Sequence, residues 1–185
     1  MQTLGVSNTP SSDNRLKSLF WPSVESASDV DYLGAQGYWV CAIVAVISLV
    51  VFALAGQWIT GILVFLFYFL GGVGVRERSR YAAAAVFVMF AFDTAASQFS
   101  VLRILLCALL LSNVRAIWIA SGWIPESKEA APSPRFSETW SDKFADQLPP
   151  FLWPKIRIFF YLYSLSVFSL VSLGFYMLLA HRLMQ

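Results

Sequence analysis

Apolar stretches long enough to cross a lipid bilayer constrain this chain more than any other feature. The longest uncharged one runs from Tyr38 to Val75 and is interrupted only by Gly56-Gln57. A helix at the surface of a water-soluble domain needs a polar face, and this stretch supplies none. A helix crosses the hydrocarbon core with roughly 20 apolar residues. The sequence therefore predicts an integral membrane protein.

Composition agrees. The 185 residues are 58% apolar and 16% aromatic, and only 13% carry charge, against about 25% in soluble domains. Mean hydropathy is +0.64. A net charge of +2, with no basic stripe interleaved by aromatics, argues against nucleic acid as a partner. Cys41 and Cys107 lie inside apolar segments without metal-ligand spacing and read as small buried hydrophobes. Residues 1–30 mix Asp13, Arg15, Lys17, Glu25 and Asp29 with Ser and Pro, so no cleavable signal peptide is expected. Gln at position 2 and the Met184-Gln185 end fit neither myristoylation nor prenylation.

The expected fold is all-α: a polytopic helical membrane bundle of about five transmembrane helices plus a short amphipathic cytoplasmic helix. The spans are placed at Tyr38–Gly56, Trp58–Val75, Arg80–Ala96, Val101–Trp118 and Ile156–Ala180. A four-span alternative replaces the second and third by one helix and a re-entrant segment. The chain divides into an N-terminal cytoplasmic segment over 1–37, four helices paired as membrane hairpins over 38–121, a cytoplasmic loop over 122–154, and the fifth helix with the C-terminus over 155–185. Residues 1–14 are too polar to bury and read as disordered.

In the 122–154 loop, Phe136, Trp140, Phe144 and Leu148 recur every four residues, with Glu138, Asp142, Lys143 and Asp146 around the rest of the wheel. That spacing predicts an amphipathic helix, stopped by Pro149-Pro150. It lies on the membrane surface, packs on the bundle, or presents a contact face to a partner. Orientation follows from the cations. With five spans, Arg15, Lys17, Arg76, Arg78, Arg80, Lys128, Arg135, Lys143 and Lys155 share one side, with Arg115 and Arg157 at its edge. Arg103 and Arg182 belong to the other. The N-terminus is therefore expected in the cytoplasm and the C-terminus outside. Trp21-Pro22 and Trp153-Pro154 each precede a span on the cytoplasmic side as interfacial anchors.

Ionisable groups inside apolar spans are the first suspects for function. Asp93 and Arg103 flank the Ser97–Ser100 turn and are expected at one depth, as an ion pair locking a hairpin or as a relay station. Asn113 and Arg115 sit in the fourth span, where Ala108, Ser112 and Ala116 permit close helix approach. Arg76, Arg78 and Arg80 form a short cationic loop suited to anionic lipid headgroups. Small and hydroxyl residues on the first span (Cys41, Ala45, Ser48) and the fifth (Ser166, Ser169) suggest that these two helices pack on each other. Gly71, Gly72 and Gly74 read as the end of a helix and a place of close passage, not a phosphate loop.

The single histidine, His181, rules out multi-histidine metal chemistry within the chain, and no nucleophile elbow or paired carboxylates occur. No catalytic residue, metal or cofactor is expected. The functional expectation is a non-enzymatic scaffold or accessory subunit acting through helix packing and contact with a protein partner or a second copy. The alternative is an oligomeric transporter or channel subunit using Asp93, Arg103, Asn113 and Arg115. A bacterial inner membrane fits the short loops.

Overall fold

The computed structural model describes residues 24, 27–96, 100–122 and 140–183. These form five helices and no strand: α1 (Ala27–Leu54), α2 (Trp58–Arg76), α3 (Arg80–Ala96), α4 (Val101–Ala120) and α5 (Trp140–Leu183). Four of them are long and apolar enough to cross a membrane: α1, α2, α4 and α5. With 17 residues, α3 rises only about 25 Å, short of the ~30 Å hydrocarbon thickness.

Helix α2 is the hub. It packs along α1, α3 and α5, while α4 closes a four-helix ring between α1 and α3. Its glycines make this possible, because each opens toward a different neighbour. A Cβ on Gly71 would stand 2.3 Å from Val86 of α3, one on Gly72 2.7 Å from Cys41 of α1, and one on Gly74 2.4 Å from the Trp153 ring of α5. All three lie within α2, which continues to Arg76, so they serve close approach and do not end the helix.

Both turns flanking α2 use one geometry. After α1, Gly56 takes φ +75°, and the Gly56 and Gln57 amides donate to the carbonyls of Ala53 and Phe52. After α2, Arg78 takes φ +56°, and the Arg78 and Ser79 amides donate to Val75 and Gly74. This is the Schellman arrangement, which normally places glycine at the left-handed position. At Arg78 a full side chain occupies it.

Three sequence expectations change. First, α1 begins at Ala27, well before Tyr38, because Asp29 suits a first helical turn and Asp31 finds partners on α2. Second, Pro149-Pro150 does not stop the amphipathic segment. A single 44-residue helix runs through Pro149, Pro150 and Pro154. A proline frees the carbonyl four residues earlier, and the carbonyl freed by Pro149, that of Ala145, accepts a hydrogen bond from Arg76 Nε at 3.3 Å. Pro149 itself is fully buried, so packing offsets the loss further. Third, α1 and α5 do not mate along their small-residue stripes. They touch only briefly. Cys41 meets Gly72 instead, and the Ser166 and Ser169 hydroxyls donate to their own helix at Leu162 and Leu165.

The surface is as apolar as the core, unlike that of a water-soluble bundle. Arg76 and Asn113 are buried, while Ile59, Leu102, Leu165 and Leu170 are each more than 60% exposed.

Candidate functional site

The densest polar constellation lies where the N-terminal turns of α1, the end of α2 and the first turns of α5 converge. Arg76, 7% exposed, is its centre. Its Nη1 donates to the Asp31 carbonyl at 2.9 Å and lies 3.3 Å from Asp31 Oδ1. Its Nη2 donates to Asp146 Oδ1, and its Nε to Ala145 O. One guanidinium thus ties three helices together through charge-assisted bonds, a use suited to the fixed fork of arginine. Arg78, more exposed, donates from Nη2 to the same Asp31 carboxylate at 2.8 Å. The two cations and two carboxylates balance.

Two residues further along α1, Asn113 of α4 donates from Nδ2 to the Leu33 carbonyl at 2.6 Å. The contact requires glycine at position 37, because a Cβ there would lie 2.7 Å from Asn113 Nδ2 and 2.8 Å from Val75. Asn113 Oδ1 and Ser112 Oγ are buried without a hydrogen-bond partner among the described residues. Arg115, half-buried, is engaged with other groups.

At the opposite end, Arg103 Nη1 lies 3.2 Å from Asp93 Oδ2, joining α3 to α4. Between the two ends the interior is apolar, with Val73, Val86, Phe90 and Phe160 at its centre. No chain of polar groups links Asp93 to Arg76 among the described residues.

The remaining expected site residues divide as follows. Arg80 is exposed at the start of α3. Phe144 is 40% exposed and makes contacts of its own, and Leu148 is half-buried. Phe136 lies outside the described residues, as does the Trp140 side chain. Asp31 and Asp146 are the partners that sequence reading passed over. A signal existed, since both are carboxylates on the side to which the loop arginines were assigned.

An apolar groove of about 340 Å³ runs between α2, α3 and α5, lined by Leu63, Phe67, Met89, Tyr163, Val167 and Leu170 among others. The Tyr163 hydroxyl in its wall donates to the Leu63 carbonyl at 2.7 Å. Thr60, Tyr68 and Ser166 also line it, and the Ser166 hydroxyl donates to the Leu162 carbonyl. No grouping of His, Cys, Asp and Glu among the described residues suits a metal ion.

No protein-family model matches the chain, and neither does any curated protein or solved structure.

Proposed function

We propose that this chain is a multi-pass membrane protein whose role is structural: a scaffold or accessory subunit that works by helix packing and contact with a partner. The observation that carries the reading is where charge is spent. The buried cation, Arg76, is saturated by Asp31, Asp146 and a backbone carbonyl, while apolar side chains cover the outside. An enzyme or carrier needs a buried charge left over for a substrate; the Arg76 guanidinium is used on the fold.

Packing supports five crossings. Short though it is, α3 packs between α2 and α4, starting beside the Arg76 end and finishing beside Arg103. It therefore passes between the same two ends as its neighbours. The 44 residues of α5 extend about 66 Å, more than twice the hydrocarbon thickness. Its first turns then stand beyond the apolar layer, and the Arg76 clasp falls near headgroup depth. Trp118, Trp153 and Tyr161 lie toward that end and Trp58 toward the other, as interfacial aromatics should. The excess of Lys and Arg supports a cytoplasmic Arg76 end, and the short loops fit a bacterial inner membrane.

A partner surface is available on α5, whose most apolar window, within Phe144–Met177, is only 11% buried by the rest of the chain. The transport alternative draws less support, because the Asp93–Arg103 pair and the Arg76 clasp are separated by an apolar interior. The test is co-purification from native membranes. Trp140→Ala with Phe144→Ala should release a specific partner while the protein stays membrane-bound and folded. Retention of every partner by that variant would remove the amphipathic arm from the interface.

A further inference from the structure

We infer that the corner formed by the α2–α3 turn and the outer flank of α5 is a binding site for the phosphate of an anionic phospholipid, built by Ser79, Arg80, Arg157 and Tyr161. The inference rests on the membrane reading above and adds a ligand to it.

Charge accounting locates the site. Arg76 and Arg78 are neutralised by Asp31 and Asp146. Glu77 is itself engaged. Lys155 sets its ammonium 3.7 Å above the Phe151 ring. Arg80 and Arg157 are both exposed, and neither has an ion-pair partner among the described residues.

The fold brings these two cations to the same corner. Tyr161 Oη lies 3.0 Å from Ser79 Oγ, and its ring stands edge-on to Tyr81, 6.1 Å between centroids. Arg80 is the residue between Ser79 and Tyr81. Arg157 precedes Tyr161 by one helical turn and so shares its face. Trp153, against both Phe160 and Tyr161, forms an aromatic floor of the kind found at headgroup depth.

The hydroxyl pair supplies a directed donor. Two O–H groups meet at Ser79 and Tyr161, but only one hydrogen is needed between them; Ser79 Oγ also accepts from the Ala82 amide at 3.3 Å. One O–H is left to donate outward. Two guanidinium groups and a hydroxyl donor match the negative oxygens of a phosphodiester. A zwitterionic lipid brings a cation of its own into the same corner and gains less.

The test is native mass spectrometry of the full-length protein in detergent, titrated with phosphatidylglycerol or phosphatidylcholine. Phosphatidylglycerol should be retained in preference. Arg80→Gln and Arg157→Gln should each weaken that preference about fivefold, Tyr161→Phe should weaken it less, and Lys155→Gln should leave it unchanged. Equal retention of both lipids, or an unaltered preference in the Arg80→Gln, Arg157→Gln double variant, would overturn the inference. So would displacement of the lipid by millimolar inorganic phosphate, which would mark a site for free anions. Membrane fractionation of the same samples separates the two proposals. A membrane-bound protein with no lipid preference sinks this site alone, whereas a protein found in the aqueous fraction sinks the membrane reading with it.

Discussion

Two arginines two positions apart show how far burial alters the worth of one residue type. Arg76 is enclosed and bonded to α1 and α5. Replacing it by Leu removes the buried guanidinium that bridges Asp31 and Asp146. Loss of one member of a buried pair typically costs about 3–5 kcal/mol, so Arg76→Leu should lower stability by roughly that amount in detergent unfolding. Arg78 shares Asp31 but is largely exposed, where an ion pair is worth about 0–1 kcal/mol. Its backbone sits at φ +56°, a region that costs an L-residue roughly 1–2 kcal/mol. Arg78→Gly removes both terms, so stability should hold or rise slightly. Equal losses for the two variants would show that the clasp is not what joins α1, α2 and α5.

The helices teach the same lesson through glycine. A methyl group at Gly74 meets the Trp153 ring and the Ala82 Cβ, while one at Gly174 meets nothing within 4 Å. Gly74→Ala should therefore cost about 1–3 kcal/mol through overpacking and alter the tryptophan emission. Gly174→Ala should gain about 0.4–1 kcal/mol by restricting the unfolded chain. The hydroxyl bridge from α5 to α2, Tyr163 to Leu63, should be worth about 0.6 kcal/mol, read as the stability lost in Tyr163→Phe. The extents of α2 and α3 were legible from Trp58, the Arg76–Arg80 cations and the run of alanines, because unbroken apolar blocks with charged ends leave little choice. The extent of α5 was not. Pro149-Pro150 reads as a stop from local rules, and what overrides them is a guanidinium supplied by a residue far away in sequence. The pairing of α1 with α2 and not with α5 was hidden for a related reason. Small residues announce close approach but not to whom, and only the three-way use of Gly71, Gly72 and Gly74 decides it.

At the scale of the whole molecule, four helices with membrane-crossing character and a fifth packed among them divide the chain into two polar ends and an apolar middle. The juxtaposition of Asp93 with Arg103 followed from their positions around one turn. The clasp did not, since Asp31 and Asp146 lie 45 and 70 residues from Arg76 and look like ordinary surface acids in the sequence. Function was the least legible level, because the sequence holds no motif whose spacing points to a substrate. In the proposed layout the helices cross a bilayer an odd number of times with the Arg76 end in the cytoplasm. Protease digestion of spheroplasts carrying an epitope tag at each terminus tests this most directly. The C-terminal tag should be removed from outside and the N-terminal tag protected until lysis. Loss of both tags, or protection of both, would contradict it.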